Sequence, residues 1–392
     1  MMMRSCRRYS TGVEALIKTP LYSLHVEHGA TLVPYAGFAM PVLYKGQSHI
    51  ESHNWTRSKV GIFDVSHMLQ HRVKGNSAAE FLQKITPSDL KALEPFTSTL
   101  SVLLNDQGGV IDDCIITKHD ENEFYIVTNA GCRDKDTAFI KEEISQFGNA
   151  SHENFEGTLL AIQGPQAAET LQKFTKLDLT KLYFGNSAFA KLEGFTNDAI
   201  HIARSGYTGE DGFELSIPVD HEGLEFTKAL LELEQIKPIG LAARDSLRLE
   251  AGMCLYGHEL NEQTTPVESS LNWLIAKSRR TPETAGFNGS DRILSQIQNP
   301  KSVSFKRVGI QSKGPSPREG NKIYSYEEPD KQIGVVCSGS PSPTLGGNVG
   351  QAFIHKPHQK SGTKILIEIR NKKREAHVAK LPFVAPKFYK PE

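Results

Sequence analysis

Two adjacent acids, Asp112 and Asp113, stand inside an otherwise apolar run, Gly108-Gly109-Val110-Ile111-Asp112-Asp113-Cys114-Ile115-Ile116. Charged side chains are seldom buried unpaired. A carboxylate in such a place either caps nearby backbone N–H groups or takes part in proton transfer. Strand alternation puts Ile111, Asp113 and Ile115 on one face and Val110, Asp112, Cys114 and Ile116 on the other, so at most one acid points into any one cavity. Periodicity alone leaves open which. A second group is Arg244, Asp245 and Arg248, which share one face of the helix predicted after Pro238. They read either as a salt-bridged helix face or as guanidinium forks for a planar heterocycle or carboxylate. Between Ala203 and Leu215, Gly206, Gly209 and Gly212 suggest backbone that approaches a ligand closely. That stretch has neither the Lys-Ser/Thr ending of a phosphate loop nor dinucleotide glycine spacing, which excludes nucleotide binding on this signal. His53, His67 and His71 read as structural, because their spacing does not force the convergence a metal requires.

The elements that must position these residues follow from periodicity and turn residues. Ser101–Leu104, the Asp-bearing run and Phe124–Val127 form a predicted meander with Gly108-Gly109 as its turn. A helix is expected over Thr19–His28, then a strand over Thr31–Tyr35 and a loop over Ala36–Val42, broken by Gly37 and Pro41. A helix near Ile50–Arg57 leads to a short strand at Gly61–Met68. Asn129 ends a strand, and Arg133–Phe147 is predicted as a helix burying Phe139, Ile140, Ile144 and Phe147. Leu159–Gln163 reads as a buried strand, and Glu214 falls in a strand over Phe213–Ile217. Pro266–Arg280 is predicted as a helix with Trp273 and Leu274 on its core side. The segment 281–300 reads as a linker. Short strands at Val308–Ile310, Lys322–Tyr324, Ile333–Val336, Val349–Phe353 and Ile365–Ile369, with a turn-rich Ser338–Pro343 between them, predict a small all-β domain. The fold class is therefore α+β followed by all-β.

At 392 residues the chain is long for a single core. Lys plus Arg and Asp plus Glu both total 45, so no electrostatic footprint for nucleic acid exists. Five scattered cysteines without metal-ligand spacing predict reduced thiols and no structural metal. Apolar runs are too short to span a membrane. Arg4, Arg7 and Arg8, with serines and no acid before Glu14, have transit-peptide composition.

Six segments in order resemble one family. They are Phe63-Asp64-Val65-Ser66-His67-Met68, Gly108 to Asp113, Thr128 to Cys132, Gly206 to Glu214, Gly240 to Met253 and Cys337 to Leu345. Together they resemble the aminomethyltransferases, or T-proteins, of the glycine cleavage system, of mitochondrial type, from Thr19 to the C-terminus. The resemblance implies transfer of an aminomethyl group from lipoylated H-protein to tetrahydrofolate as co-substrate, with release of ammonia. The P- and L-proteins would be functional partners and the mitochondrial matrix the site of action. It implies Asp113 as the carboxylate that orients and deprotonates a folate nitrogen. Glu214 would face the pterin's donor edge, Arg244 would contact folate, and Met68 and Asn129 would line the pocket. Two positions depart from the family pattern. Gly37-Phe38 replaces Gly-Trp, and Phe388-Tyr389 replaces a Tyr-Tyr pair, so Phe388 would offer ring packing without a hydroxyl. The implied organisation is a leader at 1–18, a folate-binding part at 19–280 in two interleaved subdomains, and a C-terminal β-barrel at 300–392. The alternative is a folate-binding iron–sulfur maturation factor of the same fold. Its Lys-Gly before the cysteine is missing at Met253-Cys254.

Overall fold

A computed structural model describes residues 16–391, so the basic segment read as a leader lies almost wholly outside the described residues. Ile17 is already part of the fold: its N–H donates to the Gly37 carbonyl and its carbonyl accepts from Ala39. The first elements are α1 (Tyr22–Glu27), β1 (Ala30–Tyr35) and β2 (Phe38–Tyr44). The expected loop after Tyr35 is thus a strand. Ala36 and Gly37, both at positive φ, make the tight turn, and a bulge opposite Thr31 and Leu32 accommodates Pro41 in the pairing.

Next come α2 (His49–Ser58), whose start is fixed by a Ser48–Glu51 capping box, then β3 (Val60–Asp64) and β4 (Leu69–Lys74). After them follow α3 (Ala78–Ile85), β5 (Ser98–Leu104), β6 (Val110–Asp120), β7 (Glu123–Thr128), α4 (Arg133–Ile144) and β8 (Ser151–Phe155). The chain then runs through β9 (Thr158–Gln163), α5 (Ala167–Gln172), β10 (Ser187–Ala190), β11 (Ile200–Ala203) and β12 (Gly212–Ile217). It continues with α6 (Asp220–Leu231), β13 (Ile236–Pro238) and α7 (Leu241–Glu250). One sheet has the order β5-β6-β7-β4-β8 and a second the order β10-β11-β12-β9-β3-β13. Everything from β4 to β8 is inserted between β3 and β9, which are themselves paired antiparallel. The expected meander is the first part of the five-stranded sheet, and the two α+β units are interleaved.

Each sheet buries one face on helices and turns the other toward its partner sheet. Val73, Phe124, Ile126, Cys114 and Ile116 pack with α3 and with Ile140 of α4. Leu160, Ile162, Phe213, Leu215 and Ile217 pack with Phe226 and Leu230 of α6. Between the sheets and against α7 lies a smaller layer of Phe63, Val65, Leu159, Ala161, Ala243 and Leu247, with Met68 and Val127 packed on it.

The segment 266–280 is not a helix. It is a series of turns with 3₁₀ turns at Asn272–Leu274 and Lys277–Arg279, and Ser270 in its middle takes a left-handed φ of 58°, which no right-handed helix can continue through. Leu274 is buried as expected, whereas Trp273 is 60% exposed. Nor is 281–300 a linker. It forms α8 (Pro282–Ala285) and α9 (Ser290–Gln298), and Ala285, Phe287, Ile293 and Leu294 pack on Val102, Leu104 and Val110 of the five-stranded sheet.

The C-terminal part is a closed barrel of β14 (Phe305–Ser312), β15 (Lys322–Ser325), β16 (Gln332–Ser342), β17 (Gly347–His355), β18 (Lys364–Ile369) and β19 (Lys372–Ala379), in the order β14-β17-β16-β15-β18-β19. The turn-rich stretch from Ser338 belongs to β16, where Ser338, Ser340 and Ser342 are buried and paired to β17. The barrel is tied to α7 through Glu250. This buried carboxylate accepts hydrogen bonds from Ser342 Oγ and Thr344 Oγ1, both at 2.6 Å, and pairs with Arg57 at 2.7 Å.

Candidate functional site

The open question of the two acids is settled by register. Ile115 pairs with Val127 and Cys114 with Thr128, so Asp113 shares the inter-sheet face with Ile115 and Val127. Asp112 shares the face of Cys114 and Ile116, turned to α3 and α4. The simple alternation fails one step earlier. Leu103 pairs with Asp112 and Leu104 with Val110, which leaves Ile111 as the bulged residue and sends it into the helix-side core with Cys114. Gly109 permits this turn because a Cβ there would lie 1.7 Å from the Glu262 carbonyl oxygen.

Asn129 follows β7 and reaches both acids. Its N–H donates to Asp112 Oδ2 at 2.8 Å, and its Nδ2 donates to Asp112 Oδ1 and Asp113 Oδ1, each at 2.9 Å. Asp112 is wholly buried. Burial, and then the charge of Asp112, push the Asp113 carboxyl up to about 8. A carboxyl in that range holds or yields a proton near neutral pH, as a general base requires.

Glu214 lies on β12 opposite Ala161 and Ala203. Its sequence neighbours Phe213 and Leu215 face the helix-side core, so Glu214 is on the inter-sheet face, where its Oε2 accepts from Ser205 Oγ at 2.6 Å. Arg244 projects from α7 beside Ala243, a member of the same layer. Its guanidinium lies 4.8 Å from the centre of the Tyr207 ring, and its Nη1 is buried without a hydrogen-bond partner. A buried unpaired donor is costly in a finished fold and marks a place for an acceptor. Arg248, one turn on, is not part of an exposed face: it is 2% exposed and pairs with Asp245 and Glu259. Met68 packs on the layer shared by the two sheets, and Arg133 donates to the His67 carbonyl.

Phe388 is half-buried. Its ring stacks on Phe184 at 3.9 Å between centres. The adjacent Tyr389 lies under Arg204, the residue that follows Glu214's strand partner Ala203. Sequence reasoning thus named Asp113, Asn129, Met68, Glu214 and Arg244, which meet on or beside one inter-sheet layer, while Phe388 reaches that layer only through neighbours.

Two groups beside this layer, Tyr207 and Asp136, were not singled out from the sequence, and His67 was read as structural. Tyr207 is the ring beneath Arg244, and its hydroxyl donates to the Cys254 carbonyl. Burial raises its phenol, Arg248 and Arg244 oppose this, and Asp113 adds to it, which puts all four in one electrostatic neighbourhood. Its place between two glycines in Gly206-Tyr207-Thr208-Gly209 was the available signal. His67 is buried with Nδ1 unpartnered, and burial lowers its pKa to about 4, so it is a neutral imidazole. Asp136, on α4, lies close behind Asp112.

Among the described residues one trio has metal-type donors close together, Asp112, Cys132 and Asp136. Both Asp112 oxygens already accept from Asn129, and burial keeps the Cys132 thiol protonated. His53, His67 and His71 do not converge: His53 bonds Ser246 and Glu250, and His71 bonds His152 and Thr128. The Cys254 thiol packs on the core under α8 and α9, and burial pushes it up to about 12, which is not the state of a reactive cysteine. A hollow of about 390 Å³ lined by Leu69, Arg133, Asp134, Thr137 and Lys141 is not this site, since none of Asp113, Glu214 and Arg244 lines it. No helix of the described residues is long and apolar enough to cross a membrane.

Known proteins share the sequence and the architecture of this chain. Residues 21–279 match the model of the GCVT N-terminal domain, and residues 306–385 match the glycine cleavage T-protein C-terminal barrel domain. A mitochondrial aminomethyltransferase of Saccharomyces cerevisiae is 52% identical over 390 residues, which is 96% of each chain. One from Pisum sativum is 46% identical over 98% of this chain and 93% of its own. The crystal structure of glycine cleavage system aminomethyltransferase T from Bartonella henselae superposes with a TM-score of 0.88 at 37% identity, covering 96% of this chain and 100% of that one.

Proposed function

The chain belongs to the glycine cleavage T-protein family of mitochondrial aminomethyltransferases, and from that premise we propose that it moves the aminomethyl carbon of lipoylated H-protein to tetrahydrofolate in the matrix. The donor is a thioaminal, sulfur–CH2–NH2. Its C–S and C–N bonds break and two C–N bonds to folate form. The two protons leaving the folate nitrogens end on the lipoyl sulfur and on ammonia, so the products are dihydrolipoyl H-protein, ammonia and 5,10-methylenetetrahydrofolate. The P- and L-proteins act before and after this step.

In this reading Asp113 accepts the proton of the attacking folate nitrogen. The observation that carries the assignment is its carboxyl, raised to about 8 and held by the Asn129 amide at 2.9 Å. A carboxyl raised to that range is a stronger base than an ordinary one and lies near the working pH. Glu214 pairs with the donor edge of the pterin, and Arg244 offers its unpartnered N–H to a polar acceptor of the same molecule. Met68 supplies apolar wall, and Phe388 offers ring packing through its stack on Phe184. The carbon is transferred between two bound carriers, so the layer between the sheets must also keep water from the transfer.

The same reading divides the chain into a leader within 1–18, a folate-binding part at 19–280 and the barrel at 300–392. The helical segment 282–298 goes with the folate-binding part, because it packs on β5 and β6. The test is direct. Purified protein given aminomethylated lipoyl H-protein should release ammonia only when tetrahydrofolate is added. Release at the same rate without folate, or none with it, overturns the reading.

A further inference from the structure

Behind Asp113, on the helix side of β6, two more carboxyl groups lie together. Asp112 and Asp136 are both wholly buried, and an oxygen of each lies within 4.8 Å of the other. Asp112 is committed as an acceptor on both oxygens, to the N–H and the Nδ2 of Asn129. Asp136, in the first turns of α4, has both oxygens buried and without a well-formed hydrogen bond, the Thr128 hydroxyl at the end of β7 being the neutral donor near it. The charged and titratable groups packed around the pair do not offset its burial, and the one cation among them, Lys135, only partly opposes it. They are Asp113 and Cys114 on β6, Cys132 in the turn before α4, and Lys135 beside Asp136. The Lys135 ammonium is turned to Tyr256 and Glu262. Two ionised carboxylates in that setting would repel at short range in a dry interior, where an unpaired buried charge costs several kcal/mol. Burial, with the neighbouring carboxyl, holds Asp112 well above the usual carboxylate range, and burial pushes Asp136 up to about 7.

We propose that Asp112 and Asp136 share a single proton, and that Asp136 is a positioning residue that acts on Asp113 through Asp112 and Asn129. With the proton between them the pair carries one negative charge. Asp112 then keeps its lone pairs for Asn129, and the Asn129 amide is fixed as a donor to Asp113. The chain of contacts runs Asp136, Asp112, Asn129, Asp113, from helix to inter-sheet face. The proposal rests on the reading of Asp113 as the proton acceptor for its consequence in catalysis, though not for the shared proton itself.

Two measurements test it. The first is infrared spectroscopy of the Asp113→Asn protein at neutral pH, a background that removes the other raised carboxyl. A carbonyl band of a buried protonated acid is expected, and it should vanish when Asp136→Asn is added, because the asparagine amide then supplies the hydrogen bond to an ionised Asp112. A band that survives Asp136→Asn, or no band before it, overturns the shared proton whatever the enzyme's reaction proves to be. The second is activity in the otherwise native chain. Asp136→Ala should lose about tenfold in rate, the size of one hydrogen bond, and Asp136→Asn should restore most of it. Full activity in Asp136→Ala, or equal loss in both variants, overturns the positioning role. Should the alanine variant not fold, the infrared comparison on the asparagine variant still decides.

Discussion

Replacing Asp113 with asparagine should make the protein more stable and nearly inactive. In the folded chain the Asp113 carboxyl is raised to about 8, whereas in an unfolded chain it titrates near about 3.9. The folded state therefore holds the proton more tightly. The stability linked to it is fully present below about pH 4, falls as pH rises, and has been lost above about pH 8. The slope is about 1.4 kcal/mol per pH unit, which would amount to about 4 kcal/mol at neutral pH. Asp113 is only partly shielded by its neighbours, so solvent screening reduces the expected gain to about 2–3 kcal/mol. Asparagine keeps a carbonyl for the Asn129 amide and cannot ionise. Urea unfolding of wild type and Asp113→Asn across pH 5 to 9 should show a gap that widens to about pH 8 and is level beyond it. Ammonia release by the wild type should rise over the same range, and the variant should stay near background. A variant less stable than wild type at pH 8, or a gap independent of pH, would refute the raised acid. Retained activity would refute its role.

Glu214→Gln and Arg244→Ala each remove a charge-assisted hydrogen bond of about 1.5–3 kcal/mol, so tetrahydrofolate affinity by calorimetry should fall by about one to two decades; unchanged affinity in both, with normal melting, removes folate from this layer. Cys254→Ser should leave aminomethyl transfer near normal, because the thiol is packed and held protonated. Loss of iron–sulfur enzyme activity in cells carrying this variant, with transfer untouched, would favour a maturation factor instead. Asp64 is wholly surrounded by protein, which alone would raise its pKa, yet hydrogen bonds and charge from His25, with Ser66 and Thr19, hold it down to about 2. It therefore contributes about 2–3 kcal/mol above pH 4 that is lost as pH falls toward 2. Asp64→Asn should unfold more readily at neutral pH and lose part of the acid-induced transition seen by circular dichroism. An unchanged acid transition would count against that network.

What could be read from the residues was what local pattern encodes. The meander, the strand carrying Glu214 and the helix carrying Arg244 have clear periodicity, and the structure has all three. The face on which Asp113 lies was unreadable, because alternation separates two faces without saying which meets the partner sheet. A bulge at Ile111 also shifts the phase within the same strand. Pro266–Arg280 has apolar residues at helical spacing, yet Ser270 takes a left-handed φ and the segment turns instead. The segment 281–300 looked like linker because its polar residues outnumber the few apolar ones, Ala285, Phe287, Ile293 and Leu294, that anchor it. β19 escaped notice, since Lys372, Lys373, Arg374 and Glu375 hide the inward alternation of Ala376 and Val378. Asp136 looked like an ordinary first-turn acid of a helix. Only three-dimensional packing shows that it faces a second buried carboxyl.

The insertion of one sheet within another also sets the order in which this chain can become a protein. During synthesis, or on emerging from a membrane pore, β3 appears long before β9 and β13, its neighbours on either side. The five-stranded sheet, from Leu69 to Phe155, is complete while the strand that precedes it still has both edges open. Until Thr158 to Pro238 have followed, Val60 to Asp64 present an apolar strand, buried on both faces in the finished fold, to any passing chain. Such a layout leaves the N-terminal third open to misassociation until those later strands arrive. It also means that no single cut in the chain between Asp64 and Thr158 yields two self-sufficient pieces.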